Sequence, residues 1–112
     1  MSFEANIRNQ DGLAILEMSG DVDGAADELL NAAYSEAVAG GPSRVLLNFA
    51  NVSYINSTGI ALIVGLLAEA RGADRTMFAC GLSDHYKEIF EITRIADFVT
   101  IVDDEQAALQ AT

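Results

Sequence analysis

The chain has 112 residues, 51% of them hydrophobic, and sets 17 acidic side chains against 6 basic ones for a formal net charge of −11. That size and apolar fraction fit one folded domain, residues 1–112, with a core of its own, and exclude a disordered tail. The charge repels the phosphates of nucleic acids and anionic lipid surfaces, so nucleic acid is excluded as a partner and a basic protein surface is favoured.

Cys80 is the only cysteine. No intrachain disulfide can form, which suits a reducing compartment, and its apolar surroundings point to a buried, inert thiol. No basic end followed by an apolar run opens the sequence, so no signal peptide is expected. The longest apolar run, residues 60–68, falls short of the roughly 20 residues that span a bilayer. No membrane insertion and a cytoplasmic location are the expectations.

In chain order, residues 2–10 alternate apolar and polar, the period of a strand with one wet face. Asp11-Gly12 is a hairpin turn signal. Residues 13–18 follow as a second, more buried strand. Gly20-Asp21-Val22-Asp23-Gly24 breaks the pattern. Residues 25–38 then have helical period, with Ala26, Leu29, Leu30, Ala33 and Ala37 on one face and Asp23 as N-cap. Gly40-Gly41-Pro42 ends that helix.

Residues 44–49 read as a buried third strand, and residues 50–55 as a loop pinned to the core by Val52 and Ile55. A second helix starts near Ser57 and ends at Gly72. Residues 75–80 form a fourth strand. Ser83 caps a third helix running to Ile92, residues 98–102 form a short last strand, and Asp103-Asp104-Glu105-Gln106 resembles a capping box opening a terminal helix to Gln110. The order β-β-α-β-α-β-α-β-α implies an α/β domain on a mixed sheet. An antiparallel hairpin comes first, then right-handed β-α-β crossovers, with about four helices packed on the sheet.

Enzyme chemistry has little support. His85 is the single histidine, with no second histidine or cysteine near it, and is read as a surface residue. The chain has no G-x-S-x-G elbow, Walker loop or G-x-G-x-x-G. No catalytic residue, cofactor or metal site is expected, and the chain is read as a non-enzyme.

Ser57 stands out by its setting in Asn56-Ser57-Thr58-Gly59, at a strand-to-helix junction. Two readings fit. A serine there is an ordinary N-cap. It is also well placed to hold a phosphate against the positive end of the helix. Gly59 in the first turn costs helix stability of up to about 1 kcal/mol; its missing side chain would let another backbone, or a kinase, come close. On a wheel of 100° per residue, Ile60, Ile63, Val64 and Leu67 cluster as the core face. Leu62 and Leu66 lie one turn apart on the shoulder, either as an exposed pair for a partner or beneath a second element.

Four segments together resemble the STAS domain family, and within it the stand-alone anti-sigma factor antagonists of bacteria. Gly20-Asp21-Val22-Asp23 is similar to the family's Gly-x-Leu-Asp. Residues 45–59 resemble its strand-loop-helix block ending in Asp-Ser-Ser/Thr-Gly. Residues 89–98 resemble its Phe-x-x-Thr-Gly-Leu segment, and Glu105-Gln106-Ala107-Ala108-Leu109 its closing Glu-x-Ala-Leu. The resemblance covers nearly the whole chain.

It implies a partner-switching phosphoprotein in transcription regulation. The unphosphorylated form would bind an anti-sigma factor that is itself a serine kinase of the histidine-kinase-like ATPase superfamily. Phosphorylation would end the contact, and a metal-dependent PP2C-type serine phosphatase would restore it. By position the phosphoacceptor is Ser57, with Thr58 second. The partner face would comprise Asp21, Val22, Asp23, Asn56, Thr58 and Gly59, with Leu62 and Leu66 added from the wheel.

Asn56 stands where the family usually has Asp, Arg94 where it often has Gly, and Ile95 where it has Leu. The change at Asn56 keeps an alternative open: a non-switching STAS scaffold, or a subunit of a transporter or stress-signalling assembly. At 94 and 95 only a local change in the loop is expected.

Overall fold

The structure, a computed structural model, describes residues 2–111. β1 (Glu4–Gln10) turns at Asp11-Gly12 and returns as β2 (Leu13–Val22). Both turn residues have positive φ, 51° and 80°, as a tight hairpin requires and Asp-Gly tolerates. A 3-10 turn at Gly24–Ala26 leads into α1 (Asp27–Val38). Then come β3 (Arg44–Ile55), α2 (Ser57–Gly72), β4 (Thr76–Cys80), α3 (Asp84–Ile92), a second 3-10 turn at Ile95–Asp97, β5 (Thr100–Ile101) and α4 (Glu105–Gln110). This is the α/β order expected from the sequence.

The five strands lie in the order β1-β2-β3-β4-β5. β1 and β2 are antiparallel, and the other pairs are parallel. Each parallel connection steps one strand the same way, so right-handed crossovers put their helices on one face. The larger core accordingly joins Leu16, Leu47 and Ala79 of the sheet to Leu30 and Tyr34 of α1, Leu67 of α2 and Phe90 of α3. Phe90 meets Phe49 edge to face, with ring centroids 6.1 Å apart.

The alternate residues Leu13, Ile15, Leu46, Phe78 and Cys80 form a smaller core under Ala108 of α4. The Arg44 guanidinium holds α4 down by donating to the carbonyl oxygens of Ala108, Leu109 and Ala111 at 3.2, 3.3 and 2.9 Å. Burial pushes the Cys80 thiol up to about 11, with Glu105 and Asp104 adding to the shift, so its thiolate form is disfavoured.

Two strands run further than expected. β2 continues through the glycine-rich break to Val22, and β3 absorbs residues 50–55, pairing Asp21 with Tyr54 and Val22 with Ile55. Register shifts between Glu17 and Ser19 and between Gly20 and Asp21 let the pairing continue. Gly20 has φ +86°, and a Cβ there would lie 2.1 Å from the Ser2 carbonyl oxygen, so glycine bends the strand without ending it. Leu29, expected in the core face of α1, is 56% exposed. Of the expected last strand, residues 98–102, only Thr100–Ile101 pairs. No helix among the described residues is long and apolar enough to cross a membrane.

Candidate functional site

The two segments singled out in the sequence meet at one corner of the sheet. β2 and β3 end side by side at Val22 and Ile55, and α2 begins immediately after β3. The Asn56 N–H donates to the Val22 carbonyl oxygen at 3.2 Å. Gly59 makes the approach possible: a Cβ on it would stand 1.9 Å from that same oxygen and 2.7 Å from the Val22 carbonyl carbon. The bare glycine therefore accommodates the backbone of β2.

On the other side of the junction Asp23 Oδ1 accepts from the Ala25 N–H at 3.0 Å and shapes the turn before α1. A Cβ on Gly24 would lie 3.5 Å from Thr58 Cγ2, which sets the 21–24 segment against the first turn of α2.

Asn56 is the N-cap of α2. Its Oδ1 accepts from the Gly59 N–H at 2.8 Å, and its carbonyl accepts from Ile60 at 2.9 Å. Ser57 is the first helical residue, exposed, and joins none of the side-chain hydrogen bonds among the described residues. This corrects the reading of Ser57 as the cap: Asn and Ser cap about equally well, and the chain uses the one placed first. The Ser57 hydroxyl is free for chemistry. The N–H groups of Ser57 and Thr58 lie in the first turn, where a helix has no internal acceptor for them and draws negative charge.

Asp21 and Asp23 are half-buried beside this turn, and Thr58 is exposed. Val22 and Leu66, expected on the partner face, are 0% and 2% exposed, so both side chains belong to the core. Leu62 is partly buried and packs on the core flank. Val64, expected in the core, is 44% exposed. The cause is the rotation of α2. Its buried stripe runs through Gly59, Ile63, Leu66, Leu67 and Ala70. The contact of Gly59 with Val22 sets that rotation, so the wheel turns toward Leu66 and away from Val64.

Two tyrosines escaped the sequence reading. Tyr86 of α3 pins the end of β3, its hydroxyl accepting from the Ile55 N–H at 2.9 Å and lying 3.4 Å from the Ile55 carbonyl oxygen. Tyr54 is 52% exposed and pairs with Asp21, two residues before the cap. Alternation with buried Ile55 was the available signal for its outward direction. His85 is exposed.

Arg94 takes φ +67°, a left-handed conformation that favours glycine, and its Nε donates to Asp97 Oδ2 at 2.8 Å. The backbone thus keeps the shape that glycine suits at the position where the resembled segment often has one.

A mixed sheet with α1, α2 and α3 on one face, α4 on the other and an exposed serine opening α2 defines a small α/β domain that presents a helix-start corner. The STAS domain profile matches residues 4–108, and the chain belongs to that family. One relative is BtrV of Bordetella bronchiseptica, provisionally named an anti-sigma factor antagonist. It is 29% identical over 101 residues, 90% of this chain and 87% of that one. The anti-sigma-B factor antagonist of Staphylococcus aureus is 28% identical over 101 residues, 90% of this chain and 94% of that one. Among solved structures, an anti-sigma factor antagonist from Mycobacterium paratuberculosis superposes with a TM-score of 0.82 at 16% identity, covering 96% of this chain and 92% of that one. The Bacillus cell fate determinant SpoIIAA in its phosphorylated form gives 0.70 at 20% identity, covering 95% and 96%. At such identities the structural matches show the fold.

Proposed function

We propose that this chain is an anti-sigma factor antagonist that is switched off by phosphorylation of Ser57. The observation that carries the reading is the exposed Ser57 hydroxyl, released from capping by Asn56 at the corner where the end of β2 meets the start of α2. The names of the curated relatives support the same role.

In this reading the unmodified corner docks on a basic surface of an anti-sigma factor that is also a serine kinase of the histidine-kinase-like ATPase superfamily. Asp21 and Asp23 supply the charge; Asn56, Thr58 and the Gly59 backbone supply the close surface, with Leu62 on the flank. The kinase brings its own base, so the corner needs only an accessible hydroxyl. A phosphate on Ser57 adds about −1.5 to −2 charges. Within the chain it is stabilised by the N–H groups at the helix start. Inside a closed interface the same charge is costly. A PP2C-type phosphatase resets the corner.

Incubation with the cognate kinase and ATP, followed by mass-spectrometric mapping, tests the reading. Phosphate is expected on Ser57, and none in Ser57→Ala. A chain that takes no phosphate on Ser57 or Thr58 overturns it. Asn56 in place of the family's usual Asp is the observation favouring a second reading, a non-switching STAS scaffold or assembly subunit. That reading gains if a pull-down recovers transporter or assembly subunits and no kinase.

A further inference from the structure

The C-terminal half of α2 carries a feature that the docking corner does not use. Between this half-helix and the 93–98 segment lies a groove of about 390 Å³. Leu67 and Ile95, 4% and 5% exposed, form its floor; Val64 and Phe98, 44% and 49% exposed, form its walls along with Ala68. Its charged lining is two arginines, Arg71 and Arg94, and no carboxylate. That is unusual in a chain with 17 acidic and 6 basic residues.

Among the described residues each arginine has one partner, and the Arg94 side chain is otherwise 78% exposed. The Arg71 guanidinium carbon lies 5.1 Å from the Phe98 ring centroid, a cation–π distance. Arg94 sits at φ +67° and is tethered through Nε to the exposed Asp97. That leaves its other guanidinium donors for a second acceptor. Its left-handed backbone lies just past the C-cap of α3, a common helix ending. Beyond Arg71 and Phe98 the groove opens into a second, more polar hollow of about 620 Å³ that includes Arg75, Thr76 and Thr100 as well as Asp74 and Asp97. An apolar trough thus ends at a cationic threshold with a polar space behind it.

We infer that this groove binds a small anionic amphiphile, a medium-chain aliphatic carboxylate, with its tail over Leu67 and Ile95 and its carboxylate between Arg71 and Arg94. The volume lies within the range of small-ligand sites. Charge complementarity selects the anion, since the rest of the chain repels it. A guanidinium offers a carboxylate charge-assisted, often bidentate hydrogen bonds. This site is separate from Ser57 and does not depend on its phosphorylation.

Titration of the isotope-labelled protein with decanoate, followed by amide NMR, tests the inference. Saturable shifts are expected at Val64, Ala68, Arg71, Arg94 and Phe98 below the micelle concentration. Decanol, which lacks the charge, should bind roughly fivefold to tenfold more weakly, the size of one charge-assisted contact. Arg94→Gly should weaken decanoate by a similar factor; it suits the backbone, so the fold is retained. Val64→Glu, a change at an exposed position, should remove binding. Three results would each overturn the inference: no saturable shift in the groove, equal affinity for decanol and decanoate, or unchanged affinity in both variants.

Discussion

At its N-terminal end α2 presses so closely on β2 that position 59 has no room for a side chain, whereas farther along Val64 and Ala68 face an open groove. One end is polar and acidic, and its geometry is fixed at the main chain: the Val22 carbonyl packs against Gly59, and the Asn56 and Tyr86 side chains bond the Gly59 and Ile55 N–H groups. The other is apolar, rimmed by arginines and shaped by side chains. A surface that must present one hydroxyl in one place gains from backbone packing, which a change of rotamer cannot loosen. A surface that accepts a flexible chain has no such need.

Paired substitutions can break or sharpen this contrast. The largest effect is expected at Gly59. Gly59→Ala places a Cβ where the Val22 carbonyl already stands, so the helix start must move, at a cost of about 3 kcal/mol, the upper part of the overpacking range. Gly65 lies on the open side of the same helix, where a Cβ would have nothing within 4 Å. Gly65→Ala should therefore stabilise by about 0.5–1 kcal/mol through helix propensity alone. Urea unfolding midpoints at constant slope measure both. Equal effects of the two alanines would show that the N-terminal end is not tightly packed.

Next in size is the cap. Asn56→Ala should cost about 1 kcal/mol, because the Gly59 N–H loses its acceptor. Ser57→Ala should change stability by less than about 0.5 kcal/mol, as expected for an exposed side chain outside the cap. The reverse ranking in thermal melts would make Ser57 the cap and withdraw its freedom.

The smallest effect lies outside α2, at Glu105. Its carboxyl is held below the usual range chiefly by the hydrogen bond from Arg8, then by that from Asn48. A group whose folded pKa is depressed stabilises above its unfolded value, about 4.3 for Glu, and loses that contribution as pH falls through the folded value. Glu105→Gln should flatten the acid limb of the stability curve below that point and leave Ser57 phosphorylation unchanged. An acid limb identical to the parent's would mean the pair contributes nothing measurable.

Much of this was legible in the chain. Period-two and helical patterns gave the element order, because local burial periodicity follows secondary structure directly. The corner was legible as two separate segments, Asp21-Val22-Asp23 and Asn56-Ser57-Thr58-Gly59. Local pattern did not join them, since that depends on parallel pairing across more than thirty residues; only the family resemblance put them on one face. The extension of β3 through residues 50–55 escaped notice because Asn51 and Ser53 weaken the local strand signal; β2 supplies the pairing that overrides it. The rotation of α2 was misread because a wheel weights side chains, and the residue that orients this helix has none. The choice between Asn56 and Ser57 as cap rests on one residue of position, which propensity cannot separate.

The most direct measurement is the affinity of the anti-sigma factor for this protein, by calorimetric titration, before and after stoichiometric phosphorylation at Ser57. Tight binding of the unmodified form and at least about a tenfold loss on phosphorylation, roughly 1.4 kcal/mol, is the expected result. Equal affinity of the two forms, with the phosphate verified on Ser57, would contradict the switch.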